Sequence, residues 1–153
     1  MWIEKSEKKE YNDSKVKGLR LEFKEGLTNE EKLWCKDFCK WLSKKYWFPI
    51  RCRIVFWSQI KFRSQRVGQF CYGIFFSNDE YSNRYPVCHI PAKLVRDKDK
   101  YDCLFAIAHE LTHYFQWYFY YNEKCSERSQ EIMANKWARY LVGEYLETLK
   151  SNL

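Results

Sequence analysis

No run of apolar residues in this 153-residue chain approaches the roughly 20 needed to span a membrane, so no membrane is expected among its partners. The opening stretch, MWIEKSEKKEYNDSK, is charged from residue 4 onward and lacks the apolar centre of a secretory leader. No internal repeat and no low-complexity linker interrupts the sequence. Seven cysteines, an odd number without regular spacing, do not suit a disulfide scaffold. They read as reduced, mostly buried thiols, and the expected location is the cytoplasm. Cys35 and Cys39 lie one helical turn apart and can in principle share a metal, but no second Cys or His pair stands near them. Histidine is scarce, at three residues, and none follows His113.

The composition is that of a folded chain, 46% hydrophobic and 20% aromatic, and the length suits one domain with a real core. Positive charge exceeds negative by seven, unevenly: residues 1–66 carry 17 Lys/Arg against 9 Asp/Glu, residues 67–153 carry 10 against 11. Residues 1–25, rich in Lys and Glu, read as a separate charged segment, frayed, surface-lying or inhibitory, ahead of a single domain over 26–153. Thr28 and Glu31 form a capping box. After it, Leu33, Trp34, Phe38, Trp41, Leu42 and Trp47 recur at helical spacing, which predicts an N-terminal amphipathic helix. Strands are expected at 50–57, 69–76 and 86–92, the third at an edge because a proline stands at each end. A largely apolar helix follows from about Asp99, with Asp99 or Asp102 as its cap. A turn at YNEKC leads to a last helix from about Ser126 to Leu149, striped with Ala134, Ala138 and Leu141. Helix, three strands and two long helices predict an α+β fold with a small, three-stranded or slightly larger sheet.

The densest chemistry lies in AIAHELTHYFQW, residues 106–117. Four residues apart on a helix, His109 and His113 share a face and can point imidazole nitrogens at one ion. Glu110 lies to the side, able to reach a water on that ion without ligating it; this is the use of the HExxH spacing. A buried helix carrying two satisfied histidines is the plainer alternative. A catalytic zinc takes three protein ligands and one water. With no later histidine, the third ligand must be a carboxylate, from Glu123, Glu127, Glu131, Glu144 or Glu147. Glu123 falls in the turn, and Glu144 and Glu147 lie far down the last helix. Glu127 and Glu131 share one face, so spacing leaves both open, although Glu131 gives the chain more room to return.

HELTH followed after seventeen residues by EIMANKWARYLV resembles the gluzincin metallopeptidases, most of all the minigluzincin and ImmA/IrrE-like groups. The resemblance covers residues 105–142 well, the strands before them by order alone, and residues 1–60 not at all. It implies one Zn2+ held by His109, His113 and Glu131, with Glu110 as general base and Asn135 as a polar partner behind a ligand. Met133 stands where many members carry a second acid. The reaction implied is hydrolysis of a peptide or protein substrate. It further implies that the third strand, through Val87, Cys88, His89 and Ile90, is an edge on which an extended peptide adds. His89 is expected to face the surface or the substrate. A donor for the developing oxyanion is sought among Tyr114, Tyr118, Tyr120 and Tyr121, which otherwise read as an aromatic cluster.

A different class of function competes. Residues 40–66 contain Lys40, Lys44, Lys45, Arg51, Arg53, Lys61, Arg63 and Arg66 and no acid, interleaved with Trp41, Trp47, Phe48, Trp57 and Phe62. Such a pattern can bind a nucleic-acid backbone and stack on bases, or it can be a solvated basic face over core aromatics. A non-catalytic zinc domain for protein interaction is the third alternative, and latency through the first 25 residues or the C-terminal tail is compatible with the enzyme reading. The sequence does not specify the oligomeric state.

Overall fold

The computed structural model describes residues 1–10, 17–63, 70–77 and 85–152. In chain order the main elements are β1 (Leu19–Phe23), α1 (Asn29–Lys45), β2 (Cys52–Trp57), β3 (Phe62–Arg63), β4 (Phe70–Cys71) and β5 (Ile74–Phe76). They continue with β6 (Val87–Pro91), α2 (Asp97–Tyr118), the short α3 (Tyr121–Lys124) and α4 (Glu127–Ser151). The fold is α+β. Its main sheet has four strands in the order β1-β2-β6-β5, with β1, β2 and β6 parallel and β5 antiparallel to β6. The two-residue strands β3 and β4 form a separate antiparallel ribbon. No helix of the described residues is long and apolar enough to cross a membrane.

Side chains alternate across the strands. Cys52, Ile54, Phe56, Cys88 and Ile90 enter the core with Phe38, Leu42, Leu104, Ile107 and Leu111 of the helices. The opposite face carries Glu22 and Arg53, joined by two hydrogen bonds of 2.9 Å, and Trp57 beside His89. Carboxylates fix where the helices begin. Glu31 closes the capping box on Thr28 and, with its other oxygen, accepts from the Leu94 N–H at 2.6 Å, tying α1 to the chain that leads into α2. Asp99 accepts from the Val95 and Arg96 N–H groups and so caps α2, while Asp102 lies within that helix. Ser126 caps α4 through the Ser129 N–H. Ala134 and Ala138, both fully buried, let α4 pack closely along α2, the most extensive helix pairing of the fold.

Three expectations need correction. First, residues 1–25 are not a separate charged appendage, because Leu19, Leu21 and Phe23 alternate with Arg20 and Glu22 to make β1, which pairs with β2 in the main sheet. That segment is also anchored at its start. Trp2 and Ile3 are buried, and the Trp2 indole donates to Thr112 Oγ1 at 3.0 Å amid Tyr46, Phe48, Phe115 and Trp137. Second, the run at 69–76 is broken into β4 and β5 around Tyr72 and Gly73, with Gln69 outside the described residues. Third, β6 is not an edge. Val87, Cys88, His89 and Ile90 are paired with β2 on one side, and Val87, Cys88 and His89 with β5 on the other. Its prolines do not prevent this: Pro86 precedes the strand and offers its carbonyl to the Arg53 N–H, and Pro91 is the last residue of the ladder.

Because Trp2 fills a core position and its N–H has a fixed acceptor, Trp2→Ala is expected to cost about 3–5 kcal/mol. Urea unfolding measures this; an unchanged midpoint would show that the first residues are an appendage after all.

Candidate metal centre

The two histidines sit in the middle of α2, on the side that faces α4. His113 Nε2 and His109 Nε2 are 3.1 Å apart. Glu131, in the second turn of α4, places Oε1 2.9 Å from His113 Nε2 and Oε2 3.2 Å from His109 Nε2. These three ligand groups lie within 4.8 Å of one another, and the described residues contain no other group of three or more His, Cys, Asp or Glu side chains so arranged. Donor atoms around a tetrahedral ion at metal distances of about 2.0–2.2 Å stand about 3.3 Å from each other. The observed separations have that size.

The protonation pattern points the same way. Gln116 donates its Nε2–H to the Gln130 carbonyl at 2.9 Å, so its Oε1 is the atom facing His113 Nδ1 at 2.7 Å. An amide oxygen only accepts, so Nδ1 carries the hydrogen, and in the neutral form of the ring the nitrogen facing Glu131 and His109 is then the lone-pair Nε2. A lone pair facing a carboxylate and a second imidazole is an arrangement that a cation stabilises. Two imidazoles and one carboxylate also match the ligand set of a catalytic zinc site.

Glu110 lies beside the group, its Oε1 3.9 Å from His109 Nε2, and is only 6% exposed. Burial, and then the charge of Glu131, push its carboxyl up to about 8; a bound cation acts in the opposite direction. Burial and the neighbouring His113 hold His109 below the usual imidazole range, against the pull of Glu131. Asn135, one turn after Glu131, interacts with the His109 ring, whose Nδ1 is buried without a hydrogen-bond partner.

All of these groups line one open cleft of about 860 Å3. Among the described residues its walls are Ile74, Phe75, Phe105 and Trp117, its acidic side chains are Asp102, Glu110 and Glu131, and no Lys or Arg lines it. Residues 1–10 and 17–25 and the last turns of α4 are not part of the lining. The strand edge beside the cleft is β5, not β6: Ile74 and Phe75 line it, whereas His89 stands on the far face of the sheet, accepting the Trp57 indole N–H at 3.0 Å. The four tyrosines proposed as oxyanion donors do not line the cleft either. Tyr114 is buried and spent on the backbone of Ile50, and Tyr118 and Tyr120 border a separate hollow. Among the described residues, Tyr72, 54% exposed, is the tyrosine that does line it.

Gly73 meets the catalytic candidate directly. A Cβ there would stand 2.8 Å from Glu110 Cγ and 2.9 Å from its Oε1, so only glycine lets the chain before β5 pass over that carboxylate. Sequence reasoning missed Gly73, Tyr72 and Gln116. An isolated glycine within a strand-like run signals close backbone approach, and Gln116, three residues after His113, shares its helix face.

The other candidate sites are spent on structure. Cys35 Sγ touches Cys103 Sγ at 3.7 Å rather than pairing with Cys39 around an ion, and Cys52 Sγ touches Cys88 Sγ at 3.8 Å. Within the basic stretch, Arg53 is paired with Glu22 and Lys45 with Glu144 at 2.7 Å. Trp47 and Phe48 are buried, and Trp41 packs on Phe38 and Tyr145. Arg66 lies outside the described residues. Set against protein-family models, curated proteins and solved structures, the chain matches none of them.

Proposed function

We propose that this chain is a zinc metallopeptidase, with His109, His113 and Glu131 as ligands, Glu110 as general base, and an extended peptide or protein segment as substrate. The observation that carries the reading is the convergence of three ligand atoms from two helices with a fourth, non-ligating carboxylate beside them in one open cleft. The resemblance of HELTH and EIMAN to the gluzincins agrees with it.

Zinc bound there supplies Lewis acidity, acidifying a water and polarising a carbonyl. The chain's own residues do the rest. Glu110 accepts the proton of the attacking water and passes it to the leaving amine. Its buried setting under Gly73 keeps the carboxylate in one place, where a mobile side chain would lose alignment. Among the described residues β5 ends the strand order, and its outer side would offer backbone N–H and C=O groups to an extended substrate lying along the cleft. Ile74, Phe75, Phe105 and Trp117 suit apolar substrate side chains, and Tyr72 stands at the rim as a hydroxyl donor to the tetrahedral oxygen.

Full-length protein is expected to bind one zinc per chain and to release it to a chelator. Glu131→Ala should lose the metal, whereas Glu127→Ala, exposed and outside the cleft, should keep it. Metal analysis after dialysis decides this; retention by Glu131→Ala with loss by Glu127→Ala would reverse the assignment.

Glu110→Gln should retain zinc and lose on the order of 10²–10⁴ in kcat on a peptide library. Gly73→Ala should act in the same sense, with zinc retained and turnover reduced, because the new methyl displaces Glu110 and touches no ligand. Zinc loss in either variant, or unchanged turnover, would contradict these roles.

A further inference from the structure

We propose that Gln116 is the positioning residue of this centre, a single buried amide that sets the tautomer of one ligand and the placement of another. The inference rests on the metal-site reading above and deepens it.

Gln116 is 1% exposed, and both ends of its amide are engaged. Its oxygen accepts from His113 Nδ1, which leaves Nε2 as the ligating nitrogen and stops the ring from rotating about its last bond. Its nitrogen donates to the carbonyl of Gln130, the residue directly before Glu131. That carbonyl lies in the first turn of α4, where the Gln130 N–H bonds to the Ser126 carbonyl and its side chain donates to the Cys125 carbonyl at 3.1 Å. The first turn of α4 is therefore pinned to α2 at one point, and Glu131 follows from it with its carboxylate 2.9 and 3.2 Å from the two imidazoles.

Shape alone does not explain glutamine here. A methionine fills nearly the same volume but removes both the acceptor for the His113 Nδ1–H and the donor to the Gln130 carbonyl. Glutamate keeps the acceptor for His113 and lacks the donor for Gln130. Glutamine is the side chain of this length that presents one acceptor and one donor to two groups needing one of each. At His109 the Nδ1 has no hydrogen-bond partner and the polar neighbour of the ring is Asn135, so Gln116 is the amide that joins a ligand ring to the first turn of α4.

Two readouts test this on the full-length chain, wild type, Gln116→Met and Gln116→Glu. The first needs no metal: imidazole 15N chemical shifts of the zinc-free protein, above the imidazole titration range, report the His113 tautomer. Wild type and Gln116→Glu are expected to hold the hydrogen on Nδ1, and Gln116→Met to lose that preference. The second is Zn2+ affinity by competition with a chromogenic chelator. Gln116→Met should bind about 10–100-fold more weakly, with Gln116→Glu between it and wild type. An Nε2–H tautomer in wild type, or a folded Gln116→Met with wild-type affinity and tautomer, overturns the inference. Should Gln116→Met fail to fold, the wild-type tautomer and the Gln116→Glu affinity still decide. Absence of zinc binding by wild type would instead count against the metal-site reading, leaving the tautomer measurement to judge Gln116 by itself.

Discussion

Ala134 and Ala138 let α4 lie against α2 closely enough for a carboxylate on one helix to reach two imidazoles on the other. The whole candidate centre depends on that closeness. A larger side chain at either position would force the axes apart, and an ångström of separation is enough to undo contacts of 2.9 and 3.2 Å. The sheet serves the same geometry from the other side. β6 runs into α2 through a link held by Glu31 and Asp99, so the direction of the helix that carries the histidines is fixed by two carboxylates accepting backbone N–H groups.

The cleft is unlike the rest of the molecule. A chain with seven excess positive charges has, among the described residues around its candidate centre, three carboxyl groups and no lysine or arginine. Some basic residues of the first half are occupied elsewhere: Arg53 and Lys45 in ion pairs, and Lys24 and Lys36 over the rings of Trp57 and Phe23. On the proposed reading, keeping cations away from a site that would hold a divalent ion avoids competition for the same carboxylates. Of the aromatics interleaved with those basic residues, Trp47 and Phe48 are buried and Trp41 packs on Phe38.

The parts of the site governed by local spacing were legible in the sequence. His109 and His113 are neighbours because residues four apart on a helix always are, and the caps at Thr28 and Asp99 use local chemistry of the same kind. Glu131 was reached from the sequence only together with a resemblance, because the angle between two helices is not written in either. What escaped was non-local. The prolines of β6 suggested an edge, yet pairing is decided by which strands come alongside: β5, within a run expected to be a strand, took the outer side of β6, and β1 entered from a segment not read as a strand. The alternation of Leu19, Leu21 and Phe23 was present but masked by the charge around it. Gly73 and Gln116 acquire meaning only once Glu110 and Gln130 are known to lie beside them.

The central claim concerns which atoms hold the metal, and X-ray absorption of the zinc-loaded protein addresses it most directly. The account predicts a first shell of nitrogen and oxygen alone at about 2.0–2.1 Å, with the outer-shell scattering of two imidazoles. Sulfur at about 2.3 Å, which would place the metal among the buried cysteines, or a shell with no imidazole signature, would contradict it.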